Sequence, residues 1–509
     1  MKMTPRLFPA VLLAGALMMG AAGAAERPNV VFILADDLGY AELGCYGQKK
    51  IRTPRIDQLA AQGMRFTRAY SGNAVCAPSR CVLMTGRHPG HARVRDNQSM
   101  QPEGQYPLEA GDVTLAERLG GLGYTSGIFG KWGLGNMESA GNPLKQGFAR
   151  FYGYNCQGKA HTYYPDTLWS DGAVVALKND PPVPGHAGLP EGADPRDPRS
   201  YDVFKGQDYA PDRIHEQALK FIRDQRNGPF FLYYPTIIPH VALHVPDEHL
   251  KPYLDLKWND PPFTREKGGY TPHFTPRAAY AAMISLMDRH VGEVLDLLDE
   301  LKLADNTIVV FSSDNGTTHL GEEVDYTFFE SVGRLRGLKG SLYEGGIRVP
   351  LIVRWPGRVP AGAVSDAVTG FEDWVPTLLD LIGTDAPAAG EVDGVSLARA
   401  LRGEDQPERA FLYREFPSYG GQQAVWLGQR WKGIRQNLMP RGGGKGKGKG
   451  KAAPVEIRTE LYDLLADESE STDVAAQHPD VVGKIEALMR SERTVSEAFP
   501  FPALDRLKN

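Results

Sequence analysis

The sequence predicts an α/β layered fold with a large, mostly parallel central sheet, followed by a smaller C-terminal α+β subdomain. Three observations carry that prediction. Asn29–Ala35 and Thr307–Ser313 are nearly continuous apolar runs rich in β-branched residues, the mark of strands buried on both faces. Runs of this kind alternate with helical stretches, the order that builds parallel βαβ units. After about residue 405 the rhythm changes to short segments, Phe411–Phe416, Gln423–Leu427, Trp431–Arg435 and Leu461–Asp463, closed by a helix at Val481–Arg490. A length of 509 residues suits one large and one smaller unit. The divisions expected are a leader at 1–25, a main domain at 26–404 and the subdomain at 405–509.

The leader comes first. Lys2 and Arg6 precede a short apolar core, Val11–Met19, and the small residues Ala22, Gly23, Ala24 and Ala25. That is the pattern of a cleaved secretory signal peptide, so an exported, periplasmic or secreted protein is expected. The apolar core is too short for an integral membrane span, and no later segment is apolar enough for one. An uncleaved anchor is the alternative. The net charge of −5 and the lack of a basic face argue against nucleic acid as a partner. The four cysteines, Cys45, Cys76, Cys81 and Cys156, are too few for a disulfide framework in so long an exported chain.

The first buried strand, Asn29–Ala35, ends in Asp36-Asp37. Two adjacent carboxylates there repel unless solvated or neutralised by a cation, and ligands of open α/β sheets sit at that edge. Pro54–Gln62 reads as a short helix with Ile56, Leu59 and Ala60 on one face, Leu115–Leu122 as another, and Tyr124–Gly130 as a strand running into Lys131. Between Tyr152 and Gly206 the chain is rich in Pro, Gly, Asp and aromatics and has little periodicity, so a long functional loop is expected. Asp212–Arg226 reads as a helix and Pro229–Thr236 as a strand, followed by a Pro-His segment containing His240 and His244. The clearest helix is Arg277–Leu301, with Ile284, Met287, Val291, Val294, Leu295 and Leu298 at core spacing. Thr307–Ser313 repeats the pattern of the first strand and ends in Asp314-Asn315-Gly316, which alone reads as a turn. Leu351–Trp355 is a further strand, and the Gly/Lys-rich stretch 441–451 reads as a flexible surface loop.

One stretch stands apart: Cys76-Ala77-Pro78-Ser79-Arg80, continuing to Thr85-Gly86. Pro78 suits a first helical turn, having no N–H to lose there. A helix starting here places Cys76 at its N-terminus, where free N–H groups favour an anion, with Arg80 four residues on along the same face. The stretch resembles the C-x-P-S-R-x-x-x-x-T-G signature of the formylglycine-dependent sulfatases, of the alkaline-phosphatase-like superfamily, with every fixed position filled. Asp36-Asp37-Leu38-Gly39-Tyr40 resembles that family's first metal-binding segment, and Gly130-Lys131-Trp132 one of its lysine motifs.

The resemblance implies hydrolysis of sulfate esters. It implies oxidation of Cys76 to formylglycine by a separate maturase, the hydrate serving as nucleophile. It assigns Asp36, Asp37, Asp314, Asn315 and the modified residue 76 to one divalent cation, calcium by family usage, with magnesium possible. Oxygen donors of this kind suit such hard ions. It further implies that Arg80, Lys131 and Lys339 contact sulfate and that His240 assists the leaving group. One departure is evident: many members carry a histidine two residues after the motif lysine, where this chain has Gly133.

The segment His161-Thr162-Tyr163-Tyr164-Pro165-Asp166, with Trp169, reads as a glycan-facing loop or as rings packed on the domain. Together with His244 it resembles bacterial arylsulfatases and N-acetylgalactosamine sulfatases, which marks His161, Tyr163 and His244 as expected substrate contacts. The substrate expected is a sulfated carbohydrate, of galactose or N-acetylgalactosamine type, or an aryl sulfate. Two alternatives stand beside this reading: a phosphonate or phosphodiester hydrolase of the same superfamily, and a non-catalytic sulfoglycan-binding relative.

Overall fold

The computed structural model describes residues 27–439 and 457–506. The expected leader at 1–25 and the Gly/Lys stretch at 441–451 lie outside the described residues. Fifteen strands are present among those described: β1 Asn29–Ala35, β2 Met64–Tyr70, β3 Thr125–Lys131, β4 Arg150–Tyr154, β5 Thr167–Ser170, β6 Ala173–Ala176, β7 Phe230–Pro235 and β8 Thr307–Ser313 in the first part of the chain. The remainder are β9 Arg348–Arg354, β10 Ala363–Ser365, β11 Thr369–Gly370, β12 Phe411–Phe416, β13 Gln422–Leu427, β14 Trp431–Arg435 and β15 Glu460–Asp463.

The first eleven form one sheet in the order β10-β2-β9-β8-β1-β7-β3-β4-β5-β6, with β11 also on β2. Its centre, β8-β1-β7-β3-β4, is parallel throughout, so the C-terminal ends of these strands share one edge. Antiparallel pairs occur only toward the flanks, where β9 joins β8 to β2 and the β5–β6 hairpin extends β4. The sheet is mostly parallel, as expected.

Strand β1 is buried along its whole length because both its faces are covered. Val31, Ile33 and Ala35 pack toward the long helix Pro276–Glu300, whose Ile284, Met287, Val291, Val294, Leu295 and Leu298 lie in the same core. Val30, Phe32 and Leu34 face the opposite core with residues of the helices Cys76–Thr85 and Trp374–Ile382. The Trp374 ring meets Phe32 edge-on at 5.2 Å. Each strand residue therefore alternates between two cores, and side-chain periodicity is masked by apolarity on both sides.

The C-terminal strands form a separate antiparallel sheet, β12-β13-β14-β15. One side is covered by the helix Pro479–Ser491, through Val481, Ile485 and Met489. The other side rests on the main body, where Trp426, Ile434 and Tyr462 share a core with Tyr70, Val75, Leu342 and Ile347. Lys432 crosses this junction to Glu344 at 3.0 Å and Glu470 at 2.7 Å, all fully buried. A boundary at 404/405 remains our proposal for the division of the chain.

The stretch between Tyr152 and Gly206 is less irregular than its composition suggests. It holds the β5–β6 hairpin and a 3-10 turn at Pro198–Phe204, and Tyr163, Tyr164, Tyr201 and Phe204 are buried in the core. All four cysteines are free thiols. Among the described residues no helix is long and apolar enough to cross a membrane.

Candidate active site

The shared edge of the parallel strands gathers the residues singled out in the sequence. Asp36 and Asp37 follow β1, Lys131 ends β3, Asp314 and Asn315 follow β8, and the chain leaving β7 carries His240. The helix Cys76–Thr85 points its N-terminus at them, with Cys76 its first residue and Pro78 in its first turn. Gly86, at φ +70°, ends it in the left-handed conformation that glycine adopts without strain. The Ala77 N–H, one of the free donors of the first turn, goes to Asn97 Oδ1 at 3.0 Å.

Acceptor atoms of Asp36, Asp37, Cys76 and Asp314 lie within 4.8 Å of one another, and all four residues are buried. Cationic groups surround them. Lys131 Nζ stands 2.6 Å from Asp36 Oδ2 and 3.5 Å from Cys76 Sγ. Lys339 Nζ stands 2.7 Å from Asp37 Oδ1 and 3.8 Å from the same sulfur. Arg80 donates to Asp314 Oδ2 at 2.8 Å from Nη2 and at 3.1 Å from Nε, and Nη2 is 3.3 Å from Asp36 Oδ2. Its remaining terminal nitrogen binds the Lys131 carbonyl. Arg80 is thus the clamp of the carboxylates, fully buried, and not a free arm toward an anion.

Electrostatics follow from this crowding. Burial pushes Asp36 toward the neutral acid, but the cationic Lys131, Arg80 and Lys339 together outweigh it and keep the group ionised. Asp314 is raised to about 6 by burial and by the Asp36 charge. Cys76 is pushed well above the ordinary thiol range by burial and by Asp36. An unmodified thiol here is protonated and a poor nucleophile. His240 is held well below its usual range by burial and by Lys339. Its Nδ1 donates to the Val241 carbonyl, so Nε2, 3.7 Å from Asp37 Oδ2, carries the lone pair in the neutral ring.

The donor set fits a hard divalent cation. Asn315 gives its N–H to Asp37 Oδ1 at 2.8 Å and to the Gly316 carbonyl at 2.9 Å, leaving Asn315 Oδ1 buried with no donor facing it. A buried acceptor without a partner beside three carboxylates is the arrangement a cation would complete. Three carboxylates face three basic side chains, so a divalent ion would leave two positive charges, a balance suited to an anionic ligand.

The expected substrate contacts separate on inspection. His161 is half-buried and lies parallel to His240, at 5.4 Å between centroids and an interplanar angle of 11°. Tyr163 is fully buried, its hydroxyl at 2.8 Å from the Ile237 carbonyl and 2.5 Å from that of His240. These two bonds tie Tyr163 to the loop that carries His240. His244 is also buried, with Nε2 at 2.7 Å from Thr271 Oγ1 and Nδ1 accepting from the Tyr163 N–H at 3.5 Å. Both His244 nitrogens are engaged within the protein, and a substrate contact for Tyr163 and His244 stays a proposal. Trp169 donates its indole N–H to Glu103 at 2.9 Å.

Gly133 has φ +82°, and a Cβ there would lie 2.1 Å from Gln157 Nε2. The space a side chain at 133 would take is filled by the Gln157 carboxamide, both of whose polar atoms are buried without a partner. Sequence reading did not single out Gln157, nor His186 and Tyr270, which contact His161, nor Glu42. Glu42 accepts from the Gly39 N–H at 2.6 Å and the Tyr280 hydroxyl at 2.8 Å, tying down the loop after the aspartates. No local motif marks these residues; only the fold brings them together.

A parallel-sheet edge carrying buried carboxylates, basic residues and a helix N-terminus is suited to holding a cation and an anionic ligand together. Comparison with known proteins gives the class. A family model described as Sulfatase matches residues 28–384, and one described as N-sulphoglucosamine sulphohydrolase, C-terminal, matches 338–439. The chain belongs to the sulfatase family. It is 31% identical to an N-acetylgalactosamine-6-O-sulfatase of Bacteroides thetaiotaomicron, over 92% of this chain and 94% of that protein. It is 32% identical to human arylsulfatase A, over 78% and 71% of the two chains. Among solved structures it resembles Ps i-CgsB in complex with k-i-k-neocarrahexaose, with a TM-score of 0.74 and 25% identity over 95% of this chain and 97% of that one.

Proposed function

We propose that this chain hydrolyses sulfate monoesters on glycans of galactose or N-acetylgalactosamine type, after export and after oxidation of Cys76 to formylglycine. The observation that carries the reading is the convergence of Lys131 and Lys339 on Cys76 Sγ, at 3.5 and 3.8 Å, beside three buried carboxylates. The glycan assignment draws on the relatives named N-acetylgalactosamine-6-O-sulfatase and N-acetylgalactosamine-6-sulfatase and on the k-i-k-neocarrahexaose complex of Ps i-CgsB.

Asp36, Asp37, Asp314 and Asn315 would hold a divalent ion, calcium by family usage with magnesium the alternative, which when bound supplies Lewis acidity to a sulfate oxygen and to the hydroxyl of residue 76. Lys131 and Lys339 offer fixed ammonium groups where negative charge grows on the sulfate oxygens. Arg80 keeps the carboxylates in register. The cysteine sulfur marks where a hydroxyl oxygen of the modified residue would stand. His240 would serve the leaving oxygen, but in its neutral form Nε2 only accepts, so donation requires a second proton on the ring. An anionic ester bound beside it favours that proton.

The test compares nitrophenyl sulfate with nitrophenyl phosphate, using protein co-produced with a formylglycine-forming enzyme. Turnover of the sulfate with little of the phosphate is expected. Preference for the phosphate, or for a phosphonate ester, would instead place the chain with the superfamily's phosphorus-ester hydrolases.

A further inference from the structure

His161 touches the site through one ring face, and a second histidine governs which of its nitrogens carries the proton. His186 Nδ1 lies 3.0 Å from the Gly269 carbonyl, which also receives the Arg265 Nε–H at 2.7 Å. A carbonyl only accepts, so His186 Nδ1 bears hydrogen. In its neutral form His186 can therefore only accept at Nε2, and His161 Nδ1 lies 2.9 Å away. His161 must donate from Nδ1. Its Nε2 is left with a lone pair and, among the described residues, no partner. Burial holds His161 down to about 2, so the ring is neutral.

The pair is built into the fold. The Thr271 N–H reaches the Gly185 carbonyl at 3.0 Å, and the Tyr270 N–H reaches Glu323 Oε1 at 3.0 Å, so the 185–186 and 269–271 loops are strapped together. A Cβ at Gly185 would lie 2.4 Å from the His161 carbonyl oxygen, a close approach open to glycine. The Tyr270 ring stands edge-on to His161 at 5.1 Å and to His240 at 5.7 Å.

We propose that His186 is a positioning residue that fixes His161 as a hydrogen-bond acceptor for a ring hydroxyl of the sugar whose sulfate ester lies beside His240. This rests on the sulfatase reading above. A neutral acceptor selects a hydroxyl donor, whereas the lysines of the site select charge.

The experiment measures kcat/KM for the best of a panel of galactose and N-acetylgalactosamine sulfates, divided by that for nitrophenyl sulfate, which has no sugar hydroxyl. His161→Phe should lower the ratio roughly tenfold, the scale of one lost hydrogen bond. His186→Gln can accept from His161 and donate to Gly269, and should keep the wild-type ratio. His186→Arg can only donate, forces hydrogen onto His161 Nε2, and should lower the ratio as far as His161→Phe does. A wild-type ratio in His186→Arg overturns the proposal. So does an equal loss in His186→Gln and His186→Arg, which would reduce His186 to a packing role. Wild-type protein that turns over nitrophenyl sulfate but no sugar sulfate also overturns it, while failure on both esters overturns the sulfatase reading beneath it.

Discussion

Asn315 Nδ2 lies 2.8 Å from Asp37 Oδ1, and this one contact fixes which way the amide faces. With the N–H committed to the aspartate, Asn315 Oδ1 is left buried with no donor to meet it.

Calcium should therefore stabilise the folded protein. At about one hundred times its dissociation constant it adds roughly 2.7 kcal/mol, read as a rise in melting temperature after chelation and re-addition. Asp314→Ala should abolish that increment and Asn315→Ala should shrink it. The increment, not the baseline, is the readout, because Asp314→Ala also leaves Arg80 buried without its main partner. An undiminished calcium response in Asp314→Ala would rule out this site.

Residue 76 makes a second expectation. The tryptic peptide 69–80 of active protein should carry the mass of an aldehyde or its hydrate at position 76, not of a thiol. Cys76→Ser, left unconverted, has one hydroxyl where a hydrate has two, and should complete no more than a single turnover per chain. Sustained turnover by that variant, or full activity with an intact thiol, contradicts the proposed chemistry.

His240 should matter most for poor leaving groups. His240→Ala is expected to slow sugar sulfates by about 10²–10⁴-fold, the usual range for a lost acid catalyst. Nitrophenyl sulfate, whose leaving group needs no proton, should lose far less. Equal losses on both would mean that His240 binds and does not donate.

Glu42 predicts a pH dependence of stability. Burial raises its carboxyl from 4.5 to about 7, against bonds from Ser331, Gly39, Tyr280 and Thr317 that pull it down. A carboxyl whose folded value is raised favours folding below its unfolded value and loses that contribution as pH climbs toward the folded one. Between pH 4.5 and 7 the loss is on the order of 3 kcal/mol. Glu42→Gln should flatten that part of the curve in denaturant titrations. An unchanged slope would show that the group does not titrate there.

Sequence reading reached the centre of the sheet because β1, β7 and β8 are apolar on both faces and end in polar pairs or turns. It passed over β2, Met64–Tyr70, where Arg65 and Arg68 interrupt the apolar run. The helix Trp374–Ile382 also went unmarked. Nine residues, almost all apolar, give a helix no polar face by which to read its period. In the site, the motif residues were legible because each is local: Asp36 beside Asp37, Arg80 four after Cys76. His186 stands 25 positions from His161 and joins it only through the fold. Arg80 shows the remaining limit. Its place on the helix face was readable, but not that Asp314, Asp36 and the Lys131 carbonyl would take up its guanidinium.

Every residue from Cys76 to Thr85 is buried, and Cys76 itself is 1% exposed. Under the proposed oxidation of Cys76, a second enzyme would have to reach a sulfur that the folded protein encloses. On that reading the order of events decides the outcome: oxidation would come before β1, β8 and the C-terminal sheet close around the helix, and a chain that folds first would keep its thiol.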